Sequence, residues 1–314
     1  IEGGAGAGEE TISLGAQKVR LGFSLASLAR LSRVFAGYDP VLIVLALLGL
    51  VPLLRRRGAR AAGVFGVLLA DIVLTNPGDH VRYLLPAYVA LALAGGALVE
   101  RLVATRAGTL MAALVLVVPL VQALRFGTVL SRPDTRALAE RRLGSLLPGT
   151  RVAIDHYGPQ VDLSQAALER LGALRELRTR ERMRLEALRA GALPAAELGV
   201  DAILVEDLFE TDRESGAYVV REAARPLGDS PAAVLAALGV THLLLVERRP
   251  GGDQQRPLAS LAEGRRQVWT LSPADDGGAP SEAFLPTEMD FPLTALWQVD
   301  RPGPWMRLVQ LSGD

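Results

Sequence analysis

The sequence predicts an α-helical polytopic membrane segment over residues 1–130, with about four transmembrane helices, followed by a soluble extracytoplasmic α/β domain over residues 131–314. Three observations predict it. Half of the 314 residues are hydrophobic although only 5% are aromatic, and this aliphatic surplus concentrates between Val41 and Phe126. Four apolar segments follow one another there, with short charged turns between them. From Arg132 onward the composition becomes mixed, and strand-like stretches alternate with helix-like ones.

The first apolar segment, Pro40 to Leu54, has Asp39 as N-cap and Pro40 at the tolerated first helical position. It spans roughly 22 Å against a hydrocarbon core of about 30 Å, so a crossing needs Phe35 to Tyr38 or a snorkelling Arg55. The second segment runs from Ala61 to Thr75, the third from Tyr83 to about Leu98, and the fourth from Thr109 to Phe126. A single segment of this kind would also suit the buried helix of a soluble protein. Four in succession favour spans.

Charges between the spans set the expected topology. RRRGAR, with Arg55, Arg56, Arg57 and Arg60, joins the first two segments, and ERLVATR, with Arg101 and Arg106, joins the last two. The positive-inside rule assigns both to the cytoplasm. By parity the polar connection NPGDHVR, which holds Asp79, His80 and Arg82, falls outside, as does everything after Phe126. The chain is thus expected to be multi-pass in the plasma or inner membrane. Ahead of the first span, AQKVRLGFSLASLARLSRVF reads as a helix in which Lys18, Arg20, Arg30 and Arg33 interrupt an apolar pattern, either interfacial or partly buried.

Formal net charge is zero. Residues 1 to 130 nevertheless carry 12 basic and 7 acidic side chains, which leaves 22 and 27 for the rest. No long basic stripe accompanies the imbalance, so nucleic acid is not an expected partner. Lys18 is the one lysine, and such an arginine bias alongside abundant Ala, Gly and Leu fits a GC-rich genome better than phosphate recognition. The absence of cysteine excludes disulfides and thiolate chemistry. The chain begins at Ile1 with EGGAGAGEE instead of a basic n-region and cleavage site, so a fragment lacking its N-terminal portion is expected.

In the outer domain, Pro133 stands near the start of a helix whose apolar positions are Leu138, Leu143, Leu146 and Leu147, ended by PGT. RVAID, DAILV and THLLLVE are expected strands. Between them lie a long charged helix from about Ser164 and a helix capped by Ser230 with Pro231 at its first position. The pattern suggests a small, largely parallel sheet covered by helices. LWQVD and WMRLVQL read as a closing hairpin turned by RPGP, Arg301 to Pro304. Pro250 to Pro257 and Ser272 to Pro286 are expected loops.

No glycine-rich phosphate loop or internal repeat is found. His156, between Asp155 and Tyr157 at the end of the first strand, is where an α/β sheet would place an active site, although a hydrogen-bonded loop histidine reads better. His242 begins a strand and reads as structural. No two of the three histidines have metal-ligand spacing. DRESG and the pair Asp275 and Asp276 read as solvated surface.

Three stretches carry a resemblance. RYLLP, Arg82 to Pro86, resembles the RYLLPLLP-type segment at a helix entry in integral membrane glycosyltransferases of the GT-C fold, the group that includes protein O-mannosyltransferases and the aminoarabinose transferases of lipid A. Pro133 to Pro159 is similar to the juncture where bacterial members leave the last membrane helix for a periplasmic domain. LWQVDRPGPWMRLVQL is similar to their closing strand pair. The resemblance extends over most of residues 40 to 314.

The resemblance implies transfer of a sugar from a polyprenyl-phosphate-linked donor to a hydroxyl of a lipid, glycan or protein acceptor on the extracytoplasmic face. It also implies an acidic general base, commonly an Asp in the first outer loop, expected upstream of Ile1. No catalytic residue and no metal ligand is therefore assigned here, and no cofactor is expected, a divalent metal being left open. For the donor phosphate the candidates are Arg82, with His80 as a further donor, Asp79 to orient it and Tyr83 at the interface, then Lys18 and Arg20. Asp71 is not in the family's catalytic position. The competing reading is a non-catalytic polytopic protein of envelope assembly or transport whose outer domain binds a partner, although Asp71 and Gln122 are few polar residues for a substrate path.

Overall fold

The computed structural model describes residues 11–14, 17–20, 40–75, 85–147, 149–194, 198–211, 218–247, 258–277 and 293–311. The chain forms two compact units, one of residues Ile1–Thr128 with Leu285–Trp297 and one of Val129–Phe284 with Gln298–Asp314. The sequence reading divides the chain once, near residue 130. The chain in fact passes between the units after Thr128, after Phe284 and again after Trp297.

The first unit opens with a two-stranded antiparallel ribbon, β1 (Thr11–Leu14) and β2 (Gln17–Arg20). The helix expected over Ala16 to Phe35 is corrected here for Gln17–Arg20, and residues 21–39 lie outside the described ones. The two paired segments contain β-branched Thr11, Ile12 and Val19, residues that favour pairing over helix.

Helix α1 covers Pro40–Thr75 and joins the first two apolar segments. Gly58 (φ 53°, ψ −138°) leaves helical geometry within RRRGAR, so two helices meet there at a kink, between the first two apolar segments. Helix α2 covers Leu85–Leu102 and α3 covers Arg106–Leu130. The run beginning at Arg106 is long and apolar enough to cross a membrane, and Pro40–Arg55 is apolar but shorter.

The packing of α1 on α2 is carried by small residues. Ala46, Ala90, Ala94 and Ala97 are buried, whereas Val44, Leu47, Leu48, Val51, Val89 and Leu93 are exposed. At Gly49 the two backbones approach so closely that an added Cβ would lie 1.8 Å from the Ala94 carbonyl oxygen. Gly95 faces Leu45 Cβ at 3.3 Å from its own virtual Cβ. Large apolar side chains outside and small ones inside reverse the arrangement of a water-soluble bundle. Helix α3 exposes Leu110, Met111, Leu114, Leu116, Val117, Val118, Leu120, Val121 and Leu124, which at about 100° per residue spread over more than half its circumference.

The second unit is an α/β fold around a five-stranded mixed sheet of order β4-β3-β7-β9-β8. Its strands are β3 (Val152–Ile154), β4 (Ala202–Leu204), β7 (His242–Glu247), β8 (Gln267–Leu271) and β9 (Trp305–Gln310). β3 pairs in parallel with β4 and β7, while β9 runs antiparallel to both β7 and β8. The largely parallel sheet expected from the sequence is thus parallel only over β4-β3-β7. A separate hairpin, β5 (Phe209–Thr211) with β6 (Tyr218–Val220), follows the short helix Val205–Leu208.

The closing hairpin is also corrected. Leu293–Gln298 is a 3-10 helix, and β9 enters the sheet between β7 and β8. The reason is the period of burial: Leu296 and Val299 are both fully buried, three residues apart, while Trp297 is 58% exposed. Three residues per turn suits 3-10 geometry, whereas a strand would bury alternate residues.

The charged helix from Ser164 is two helices, α5 (Gln165–Leu174) and α6 (Thr179–Arg189). Gly172 lies within α5, but the break falls three residues later, at Arg175. Arg175 is drawn into an extended conformation where its guanidinium meets Glu181 and Asp207, and Glu181 reaches back to accept the Arg178 N–H at the start of α6 at 2.7 Å. Ser164 and Ser230 cap their helices as expected, accepting from Ala167 N–H at 3.2 Å and Ala233 N–H at 3.3 Å. The helix after Pro133, α4 (Thr135–Gly144), is capped by Asp134; it buries Leu143 but leaves Leu147 exposed.

Helices cover both faces of the sheet. Along β7, Leu244 and Val246 join one core with Val152, Ile154, Leu168, Leu171 and Leu308. Leu243 and Leu245 join the other with Ala153, Phe209, Val234, Leu235 and Val309. A strand apolar on both faces belongs at a sheet centre, which explains the unbroken LLLV of β7.

Two predictions follow from this packing. Gly49→Val should drive a branched side chain into the Ala94 backbone and cost on the order of 1–3 kcal/mol, read as a lower unfolding midpoint of the chain in detergent. His242, whose Nδ1 lies 2.9 Å from Thr241 Oγ1, is held by burial below the ordinary histidine value. The unfolded state therefore binds more protons as pH falls through that range, so the histidine's contribution is complete above it and is lost below it. Unfolding midpoints between about pH 8 and pH 5 should fall more steeply for the native chain than for His242→Gln.

Candidate functional site

The chain leaves β3, returns in parallel as β4 on one side, and returns again as β7 on the other. The direction of winding reverses at β3, so the carboxyl ends of β3 and β7 flank the position where open α/β sheets place ligands. Asp155 stands there directly after β3 and is 3% exposed. Its Oδ1 accepts from the His156 N–H at 2.8 Å and from the Tyr218 hydroxyl at 3.1 Å, and its Oδ2 accepts from the Val246 N–H at 3.4 Å. One buried carboxylate thereby ties together the ends of β3 and β7 and the β5–β6 hairpin. These bonds replace the water that burial removes.

The turn that follows is tight. The Gly158 N–H donates to the Asp155 carbonyl at 3.1 Å, and Tyr157 takes φ 63°, a conformation more usual for Gly or Asn. Among the described residues Tyr157 is the one non-glycine with positive φ. A Cβ on Gly158 would meet Ile154 Cγ2 at 2.4 Å, so only glycine lets the chain pass. The turn turns His156 and Tyr157 outward with their ring centroids 4.1 Å apart, edge to face. His156 Nδ1 lies 3.3 Å from Glu206 Oε2, both side chains being about half exposed.

Behind Glu206 the local backbone is held by charge. Arg175 Nε donates to Asp207 Oδ1 at 2.7 Å, and its two terminal nitrogens donate to Glu181 at 2.9 and 2.8 Å. The Arg175 hydrogen bonds hold the Glu181 carboxyl below its usual value, helped by the Arg178 N–H and opposed by burial. The same partners, Glu181 first, raise Arg175 further above its ordinary value. Asp207 Oδ2 is buried without a hydrogen-bond partner.

The edge therefore offers solvent an imidazole, a carboxylate and a phenol face in one place. Among the described residues no three His, Asp or Glu side chains gather to hold a metal ion.

Asp79, His80, Arg82 and Tyr83 fall outside the described residues, as does DRESG, while Lys18 and Arg20 fall on β2. Asp275 is not simply solvated surface: Arg132 and Arg301 both ion-pair with it and hold its carboxyl below the usual range, Arg301 contributing most. Glu206 and Tyr218 were not singled out in the sequence. The available signal was position, because Glu206, like His156, follows within two residues of a short apolar strand.

No protein-family model matches the chain, and neither a curated protein nor a solved structure is similar to it.

The turn generates a paired prediction. Gly158→Ala should cost on the order of 1–3 kcal/mol through its clash with Ile154, whereas Tyr157→Gly should be near neutral because relief of the left-handed backbone offsets the gain in unfolded-chain freedom. Urea midpoints of the two variants check both.

Proposed function

We propose that this chain belongs to a polytopic membrane glycosyltransferase of the GT-C type, which moves a sugar from a polyprenyl-phosphate-linked donor to an acceptor hydroxyl on the extracytoplasmic face. The observation that carries the reading is the inverted packing of the first unit. Gly49 and the alanines of α1 and α2 face each other while leucines and valines face outward, and α3 exposes apolar side chains around most of its girth. In water a surface of that kind would be a liability; in hydrocarbon it is solvated. An α/β unit follows α3 directly, with Asp134 capping its first helix. This order of parts supports the resemblance carried by RYLLP and by residues 133–159.

In this reading Arg82, immediately ahead of α2, meets the anionic phosphate of the donor, with Asp79, His80 and Tyr83 around it and Lys18 and Arg20 as further cations. A planar guanidinium can grip two phosphate oxygens at once. The general base is assigned to no residue of this chain. The acceptor is a lipid, glycan or protein, and the exposed edge at His156, Tyr157 and Glu206 is a surface on which a sugar-bearing acceptor would find both polar partners and a ring face.

The test is the rate of transfer against donor concentration in the reconstituted protein, with variants compared at equal levels. Arg82→Ala should lower the rate at limiting donor by roughly tenfold to a hundredfold, from the loss of one charge-assisted hydrogen bond at about 1.5–3 kcal/mol. Arg82→Lys should recover part of it, since charge returns without the fork. An unchanged rate for Arg82→Ala would remove Arg82 from the donor site.

A further inference from the structure

One contact in the first unit is explained neither by helix packing nor by the donor site. The 3-10 helix Leu293–Gln298 brings Trp297 to Arg125, near the end of α3. The Arg125 Nε donates to the Leu296 carbonyl at 3.2 Å, and its guanidinium carbon lies 5.8 Å from the Trp297 ring centroid. Ala295 and Leu296 are buried, yet Trp297, the next residue, is 58% exposed. An indole of that size left outward beside two buried neighbours calls for an environment that favours it.

The length of α3 names that environment. Between Arg106 and Arg125 no residue is charged. Nineteen steps at 1.5 Å give roughly 28 Å, close to the hydrocarbon thickness of about 30 Å. Arg106 and Arg125 thus bracket one bilayer core, and Trp297 sits at the level of the second arginine. Tryptophan concentrates at that depth, where its ring is apolar and its N–H stays wet, and a neighbouring arginine can meet lipid phosphate.

We propose that Trp297 and Arg125 form an anchor seated in the headgroup and upper acyl region of a phospholipid bilayer, at the end of α3 that leads into the α/β unit. The proposal rests on the reading of α3 as a span. It assigns a role to the return of Leu285–Trp297 to the first unit: the chain is fastened to the bilayer surface a second time, after most of the α/β unit has been formed.

The test is depth-dependent fluorescence quenching of the chain in phosphatidylcholine vesicles. Subtracting the signal of Trp297→Phe isolates this residue without touching the buried Trp305. Lipids brominated high on the acyl chain should quench it at least about twofold more than lipids brominated near the chain end, and aqueous iodide should quench weakly. Arg125→Ala should weaken that depth preference while the chain still floats with the vesicles. Flotation with quenching by iodide alone would overturn the anchor and leave the span intact, as would equal or stronger quenching by the deep label. Failure of the native chain to float with vesicles would overturn the span and the anchor together.

Discussion

The α/β unit depends on a clamp between its first residues and its last strand. Thr135, fully buried at the start of α4, donates its hydroxyl to the Pro304 carbonyl at 2.8 Å and its N–H to the Pro302 carbonyl at 2.9 Å. Gly303, at φ 109°, passes so close that a Cβ would lie 2.0 Å from the Thr135 hydroxyl oxygen. Arg132 and Arg301 share Asp275, and the Asp300 and Arg301 N–H groups both donate to the Pro273 carbonyl. The turn that launches β9 is held by the residues through which the chain enters the unit. β9 then supplies the antiparallel partner of both β7 and β8. Without the clamp, β8 would have no strand to join and β7 would be left as an apolar edge.

From that sheet follows the edge at Asp155. β9 occupies one side of β7 and β3 the other, and β4 extends the sheet beyond β3. The reversal of winding at β3 brings Asp155, Val246 and Tyr218 together, and the buried carboxylate turns the next two side chains outward. His156 and Glu206 are fifty residues apart in the chain and 3.3 Å apart in the fold. Their proximity is a consequence of strand order.

The two units obey opposite packing rules. In the second, Leu243 to Val246 are buried and polar side chains lie outward. In the first, alanine and glycine are inside and leucine and valine outside. Both arrangements satisfy backbone groups within helices and sheets, but they place bulk on opposite sides. The first lets two helix backbones come into contact at Gly49, where the absence of a side chain permits close van der Waals packing.

Much of this was legible in the sequence because it is local. Ser164 and Ser230 cap by their own side chains, Pro231 starts its helix, and RVAID, DAILV and THLLLVE are apolar runs too short for helices. The aliphatic run to Phe126 and the mixed composition after it also speak for themselves. The tertiary structure decided what depends on distant partners. The helical run breaks at Arg175, not at Gly172, where Asp207 and Glu181 are there to receive the guanidinium. Trp305 to Gln310 pair with β7 and β8, not with the residues just before the RPGP turn, because Leu296 and Val299 are buried at a helical spacing. Glu206 reaches His156 only once β4 lies beside β3. Local propensity writes caps, runs and turns into the chain, while pairings across tens of residues are chosen by which side chains can be buried together.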